Sequence, residues 1–314
     1  MSNLTKLEDN LVKKPQPRSK LLNRLNQQKY ILLLLVPGII WYIIFSYMPM
    51  IGSYLAFTNT GLTANPTFIG FANFQRLFMS PDFWRAFKNT LIISAYYLVF
   101  YFPLPIILSL LINEFRKVMF KRFVQFVIYI PHFFSWAVVG SLFVMLLSPS
   151  SGAVNEIVKA LGGEPIYFMV SPKWFRAILT TSHIWKDVGY GTVIYIATLA
   201  TIDPGLYEAA TVDGAGYWAR LWHITLPGLR STIAVVLLLQ VANILRLFEQ
   251  VLVMYSPAVY EVADVLNTYA YAEGLQNGNI GYATTISLFT SVVSLLLVFG
   301  ANFLSKKTIK ESIL

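Results

Sequence analysis

The side chains that could do polar chemistry in an apolar environment cluster in one stretch, residues 231–254. Arg246 and Glu249 are three residues apart, so on a helix they share a face and can form an ion pair. Asn243 and Gln250 follow three- and four-residue steps and extend the polar stripe. Charged groups within a membrane span are costly and usually face a cavity or a partner. The stripe is interpreted either as the wall of a polar path or as a structural ion pair.

The motifs that carry enzymatic chemistry are missing from the sequence. It contains no G-x-x-x-x-G-K-[ST] phosphate-binding loop, no H-E-x-x-H zinc motif and no G-x-S-x-G nucleophile motif. It has no Cys, which excludes disulfides and thiolate zinc sites. His132, His183 and His223 are scattered along the sequence and are interpreted as structural. We therefore expect no catalytic residue, no metal and no cofactor bound by this chain, and no ATPase activity of its own.

Hydropathy predicts the elements that position the polar stripe. The sequence is 56% hydrophobic and 12% charged, whereas a soluble domain carries about 25% charged residues. A hydrocarbon core of ~30 Å needs ~20 apolar residues in a helix. Six segments qualify, and they are 30–50, 89–112, 123–146, 175–199, 231–254 and 281–304. The sequence thus predicts an all-α integral membrane protein with about six transmembrane helices in a domain over 30–304.

The fourth of these segments, 175–199, is the most polar. It contains Arg176, His183, Lys186 and Asp187, so it must face a protein interior, a cavity or an interface. For the Lys186–Asp187 pair a structural role is favoured over a role in the path.

The distribution of Lys and Arg predicts the orientation. Basic residues concentrate in 1–29, 113–122, 200–230 and 305–314, and cytosolic segments are the ones enriched in such residues. Both termini are therefore predicted to be cytosolic, with 1–29 a basic tail and 305–314 a short second tail. The apolar stretch after the first tail is too long for a signal-peptide core, so it is interpreted as a retained span. The net charge of +9 is attributed to orientation and not to nucleic-acid binding.

The predicted cytosolic segment 203–227 has the pattern of a compact helix–turn–helix. Asp203 is a good N-cap and Pro204 fits the first helical position. Asp213-Gly214 ends the first helix near Val212, since glycine suits a left-handed backbone. A second helix is expected from Tyr217 to about Thr225, with Pro227 ending it. Such a rigid, partly apolar knob suits docking into a groove of another protein, although an interfacial helix resting on lipid headgroups remains open.

The same segment resembles the EAA loop of binding-protein-dependent ABC importer permeases. The resemblance rests on Glu208-Ala209-Ala210, then three residues, Gly214, nine residues, and Ile224-Thr225-Leu226-Pro227. It implies that this segment is the coupling helix that sits in a cleft of a separate ATPase subunit. The implied coupling residues are Glu208, Ala209, Ala210, Asp213, Gly214, Ile224, Leu226 and Pro227, with Glu208 for docking and Gly214 for the turn.

Two external segments resemble those of permeases for carbohydrate uptake. Residues 68–74 with Pro81-Asp-Phe-Trp84 are similar to a first external loop of that group, and 264–271 to a stretch in permeases that work with a lipoprotein binding protein. The resemblance implies a type I ABC importer permease in a bacterial cell membrane that transports a sugar or oligosaccharide.

The resemblance also implies the partners. They are a second homologous permease subunit, two copies of a cytosolic ATP-binding subunit that holds ATP and Mg, an external sugar-binding lipoprotein and membrane lipid. Asn243, Arg246, Glu249 and Gln250 then form either a wall of the translocation path or an ion pair at the interface with the second permease. An ion-gradient-driven secondary transporter is the alternative, but the inverted repeats it predicts are not seen.

Overall fold

A computed structural model describes residues 28–61 and 66–309 of the chain. Residues 1–27 and 310–314 lie outside the described residues. Most of the predicted tail 1–29 and half of the predicted tail 305–314 therefore lie outside them. The described chain divides into two units, which end and begin at Tyr54 and Leu55.

Residues 28–54 are almost continuously helical. They comprise α1 (Lys29–Tyr42), a π turn (Ile43–Tyr47), α2 (Met48–Ile51) and the beginning of a 3₁₀ turn (Gly52–Phe57). The helical run Leu32–Phe57 is long and apolar enough to cross a membrane, in agreement with the predicted span 30–50.

The second unit contains fourteen of the helices that we number within the described residues. They are α3 (Ala72–Met79), α4 (Pro81–Tyr96), α5 (Pro103–Asn113), α6 (Val118–Tyr129), α7 (Trp136–Leu146), α8 (Ala153–Ala160), α9 (Pro172–Leu199), α10 (Pro204–Val212), α11 (Tyr217–Arg220), α12 (Leu226–Asn243), α13 (Glu249–Met254), α14 (Tyr260–Ala263), α15 (Leu266–Tyr271) and α16 (Ile280–Ile309).

Four helical runs of the described chain are long and apolar enough to span a membrane. Besides Leu32–Phe57 they are Pro81–Asn113, Tyr217–Asn243 and Ile280–Phe303. A fifth arises if α6 and α7 form one span, since they are bent by 98° at a short break. Helix α9 coincides with the fourth predicted span but is too polar to meet the same criterion. The count of six and the cytosolic location of both termini therefore stay predictions.

Three of the spanning runs contain a π turn directly before a proline. The turns Ile43–Tyr47, Tyr97–Tyr101 and Leu221–Thr225 precede Pro49, Pro103 and Pro227. Proline has no N–H, and its ring clashes with the carbonyl four residues earlier in a regular helix. Inserting one extra residue per turn relieves this clash, so the helix continues through the proline. The expectation that Pro227 ends the second helix of the knob is therefore wrong, because the helical run continues from Tyr217 to Asn243.

The fifth predicted span, 231–254, is not one helix. Helix α12 ends at Asn243, and Phe248 has a non-helical backbone (φ −149°, ψ −76°) before α13 begins. Two carbonyls freed by the break find partners in other elements: Ser94 Oγ donates to Ile244 O at 2.5 Å and Asn267 Nδ2 donates to Leu245 O at 3.3 Å. These tertiary hydrogen bonds satisfy buried backbone that a helix would otherwise satisfy.

Helix α9 lies at the centre of the second unit and packs against α5, α6, α7 and α12. Its approach to α6 is so close that only glycine fits at position 189. A methyl group there would overlap the backbone carbonyl of Ile128. The contact lies beside the 3₁₀ turn Ile130–Phe133, where the chain bends between α6 and α7.

We predict that Gly189→Ala destabilises the protein by about 1–3 kcal/mol or more, since a backbone atom must move to admit the methyl group. Gly300→Ala is the matched control, because Gly300 is also in a long helix and a methyl group there meets no atom of this chain within 4 Å. Thermal unfolding of both variants in detergent measures the difference. Equal transition temperatures would contradict the close approach of α6 and α9.

Candidate functional site: a polar cavity and a helical knob

The four residues of the predicted polar stripe line one cavity of about 440 Å³. We call it the aromatic cavity, and its wall consists of Tyr97, Trp136, His183, Asp187, Gln240, Asn243, Arg246, Leu247, Phe248, Glu249 and Gln250. Its volume falls in the range of about 300–1,000 Å³ that is typical of ligand sites. Aromatic rings and amides on one wall are groups that can pack on a sugar ring and bond its hydroxyls.

Arg246 and Glu249 do not form the expected helical pair. Arg246 lies in the non-helical break and Glu249 begins α13, so the three-residue spacing no longer places them on one helix face. Within the described part of the chain, neither side chain takes part in an ion pair. Both residues are exposed and both line the cavity.

Gln250 is the buried member of the stripe and fixes the wall to α9. Its Nε2 donates to Leu179 O at 2.7 Å and to Ser182 Oγ at 2.8 Å. Its Oε1 accepts from Tyr97 OH at 2.5 Å. The side chain is thus fully occupied with holding α13, α9 and the Tyr97 π turn together. Gln250 is a structural residue of the cavity wall, and Asn243, Arg246 and Glu249 are the exposed ones.

Asp187 joins two histidines that the sequence did not connect. Its Oδ1 lies 2.7 Å from His132 Nδ1, and its Oδ2 lies 3.4 Å from His183 Nδ1. Lys186 Nζ donates to His132 O at 2.6 Å and lies 3.8 Å from Asp187 Oδ1. The His183 ring in turn stacks on Tyr97 at 4.2 Å between centroids.

This cluster ties the bend between α6 and α7 to the cavity. His132 belongs to the turn at the bend, and His183 belongs to the cavity wall. The interpretation of both histidines as structural agrees with these contacts. The contact of His132 with Asp187 could not be foreseen, because the two are 55 residues apart in the chain, whereas His183 and Asp187 are four residues apart on α9.

The knob formed by α10, α11 and the turn between them has the backbone geometry that Gly214 predicts. Gly214 has φ +77°, its N–H donates to Thr211 O at 3.1 Å, and Ala215 N–H donates to Ala210 O at 2.8 Å. These two bonds form a Schellman motif, which satisfies the last carbonyls of α10. At the other end Asp203 Oδ1 accepts from Gly205 N–H at 2.9 Å and caps the helix.

Side-chain bonds brace the knob against the helix that continues from it. Tyr207 OH lies 3.0 Å from Thr225 Oγ1, and an Arg220 guanidinium nitrogen donates to Thr211 Oγ1 at 3.0 Å. Ala210, Ile224 and Leu226 are partly buried, whereas the other candidate coupling residues, Glu208, Ala209, Asp213, Gly214 and Pro227, are exposed. Large apolar side chains are exposed beside them, including Val212 (87%) and Trp218 (69%). A rigid element with an exposed apolar face suits docking.

Hydrogen bonds around the buried Asn89 side chain order the segment that includes residues 264–271. An Arg176 guanidinium nitrogen donates to Asn89 Oδ1 at 2.8 Å, and Asn89 Nδ2 donates to Glu261 O and Asp264 O. Thr268 Oγ1 donates to Asp264 Oδ1 at 2.7 Å. Burial raises the pKa of the Asp264 carboxyl, although this hydrogen bond and the nearby Arg85 lower it.

Comparisons with known proteins agree with this architecture. A family described as "Binding-protein-dependent transport system inner membrane component" matches residues 101–310. The protein LplB of Bacillus subtilis (strain 168) is 43% identical over 293 residues, which cover 92% of this chain and 92% of LplB. The polygalacturonan/rhamnogalacturonan transport system permease protein YteP of the same organism is 42% identical over 310 residues, which cover 97% of this chain and 96% of YteP.

A solved structure is similar over nearly the whole chain. It is the crystal structure of a bacterial alginate ABC transporter in complex with an alginate pentasaccharide-bound periplasmic protein. The TM-score is 0.87 at 41% identity, and the match covers 94% of this chain and 100% of that one. The predicted all-α ABC importer permease fold is thereby confirmed.

We predict that Gln250→Leu destabilises the protein by about 1–3 kcal/mol, because the buried Tyr97 hydroxyl loses its acceptor, whereas Leu179 O keeps the Ser182 hydroxyl as a donor. Asn243→Ala is the control from the same wall. Its amide is exposed and donates only to Leu239 O of its own helix, so its effect should stay within about 0.5 kcal/mol. Unfolding temperatures in detergent distinguish the two. A neutral Gln250→Leu would refute the bracing role.

Proposed function

The chain belongs to the family of binding-protein-dependent transport system inner membrane components, and we propose that it forms half of the translocation path of an ATP-driven oligosaccharide importer. The chain carries no phosphate-binding loop, so the ATP and Mg belong to a separate subunit. The names of two similar proteins support an oligosaccharide as the substrate. YteP is named for polygalacturonan and rhamnogalacturonan, and the transporter in the solved structure is named for alginate.

The knob formed by α10 and α11 is the proposed contact with the ATPase subunit. The observation that carries this proposal is the helical run Tyr217–Asn243, which begins in the knob and ends at the aromatic cavity. At about 1.5 Å per residue, its 27 residues span ~40 Å. Movement of the knob would therefore be transmitted by a rigid rod to the lip of the cavity.

The exposed part of the knob provides the docking surface. Glu208 is exposed on α10, and Gly214 sets the angle between α10 and α11. The neighbouring apolar side chains would be covered in a cleft of the partner. The knob is on the cytosolic side in this proposal, with the N-terminus inside, as the distribution of Lys and Arg predicts.

The aromatic cavity is the proposed part of the path that this chain supplies. It is open on one side, and a single chain of this size does not enclose a passage for an oligosaccharide, so a second homologous permease is expected opposite it. An external sugar-binding protein would deliver the substrate to the outer segments. The remaining proposed partner is a pair of ATP-binding subunits. No observation favours the ion-gradient alternative.

The proposal predicts that Glu208→Lys and Gly214→Val uncouple ATP hydrolysis from uptake. The first reverses a docking charge. The second forces a β-branched residue into a left-handed backbone, at a strain of about 1–3 kcal/mol, and so tilts the knob. ATPase activity and sugar uptake are measured together in proteoliposomes that contain the whole complex.

Matched controls separate coupling from folding. Gly162 has φ +83° with open space around it, but lies on the predicted external side, so Gly162→Val carries the same strain away from the knob. Glu164→Lys repeats the charge reversal at an exposed external site. Both controls should transport normally. Coupled uptake in Glu208→Lys and Gly214→Val at the level of the controls would exclude the knob as the coupling element.

A further inference from the structure

Arg246 lies where two polar cavities meet. It lines the aromatic cavity, and it also lines a groove of about 360 Å³ between α12, α15 and α16. We call the second one the hydroxyl groove, because its polar wall is formed by Asn267, Ser287, Thr290, Ser291 and Ser294. Among the described residues, Arg246 is common to both walls. A molecule that extends from one cavity into the other must pass its guanidinium.

Besides Glu249, the wall of the aromatic cavity contains one other acid, Asp187, and it does not neutralise the charge of Arg246. Asp187 is engaged by His132, His183 and Lys186, all within 4 Å of its carboxylate oxygens. Its charge is therefore compensated inside the bundle. Within residues 66–309, the Arg246 side chain has no hydrogen bond or ion pair of its own, although its backbone N–H donates to Asn243 O at 2.9 Å.

The ends of two helices explain why Arg246 and Glu249 remain separate. Arg246 follows the C-terminus of α12, where the helix dipole favours a cation, and Glu249 opens α13, where backbone N–H groups favour an anion. Each charge is thus stabilised locally and stays available to a ligand. An arginine fork matches the two oxygens of a carboxylate, while a glutamate can only accept from hydroxyls.

We propose that Arg246 binds the carboxylate of a uronosyl residue, so that the importer takes up acidic oligosaccharides. This inference rests on the proposed function, since it names the substrate class of the same path. Glu249, the amides of Gln240 and Asn243 and the aromatic rings of the wall bond and stack on the rest of the sugar. Arg246 is then the residue that distinguishes a charged oligosaccharide from a neutral one of the same shape.

The test uses two probes that differ only in charge, a pentamer of galacturonate and its fully methyl-esterified form. Equilibrium dialysis measures the binding of each to the assembled, nucleotide-free transporter in nanodiscs, without the binding protein. The native complex should prefer the acid form. Arg246→Gln should weaken binding of the acid form roughly 10-fold to 100-fold, the range for a lost charge-assisted contact, and leave the ester nearly unchanged.

Two further measurements make the result specific. Glu249→Gln, which removes the other free charge of the same wall, should change the binding of both probes to a similar extent. Binding of the acid form to the native complex should weaken as salt rises from low to physiological ionic strength, and binding of the ester should not.

Each result decides the inference. Equal loss of both probes in Arg246→Gln, no loss of either, or no binding of the acid form to the native complex would overturn it. The proposed coupling through the knob fails on different evidence, namely coupled uptake in Glu208→Lys and Gly214→Val at the level of the controls, which does not depend on the charge of the glycan. A transporter that couples ATP hydrolysis to uptake of neutral sugars alone would therefore refute the uronate site and keep the importer.

Discussion

The requirement that buried polar groups find partners governs the arrangement of the second unit. Helix α9 brings Lys186, which is 7% exposed, and Asp187 into a bundle whose outer surface is apolar. An unpaired charge buried there would be strongly destabilising. Both side chains are satisfied at the bend between α6 and α7, where His132 offers a ring nitrogen to Asp187 and a free carbonyl to Lys186. The bend between α6 and α7 thus supplies the partners that allow the polar side chains of α9 to be buried.

The same requirement shapes the aromatic cavity. The break after Asn243 frees carbonyls to which the side chains of Ser94 and Asn267 donate hydrogen bonds. Two of the carbonyls that leave the helical path, those of Ile244 and Leu245, are thereby hydrogen-bonded to side chains of other elements. The Gln250 side chain links α13 to α9. Irregular backbone at membrane depth is tolerated where it is buried in protein or lines a water-filled cavity. Here it turns Arg246 towards such a cavity.

Continuity of the helix from the knob to the cavity is a consequence of the π turn Leu221–Thr225. Without the extra residue in that turn, Pro227 would interrupt the helical run between the knob and the aromatic cavity. The Schellman turn at Gly214 and the bonds of Tyr207 and Arg220 keep the knob in a fixed orientation at the start of this run. The knob and the lip of the aromatic cavity therefore lie at the two ends of one helical run.

Much of this organisation could be predicted from the sequence. Apolar runs of about 20 residues indicate helices in lipid regardless of how they pack. Local backbone rules determine Asp203 as a cap and Gly214 as a left-handed turn, because capping and φ depend on near neighbours. The spacing of Glu208, Gly214 and Pro227 identified the family for the same reason: it describes one compact local unit.

Only the tertiary structure decided where the helices break and which polar groups meet. The sequence pattern predicted one helix through Arg246 and Glu249. Periodicity does not reveal that Ser94 and Asn267 stabilise a break there by donating to the freed carbonyls. It could not pair His132 with Asp187 across 55 residues. Local propensities act over a few residues, whereas the burial of polar groups is settled by whatever the fold brings near them.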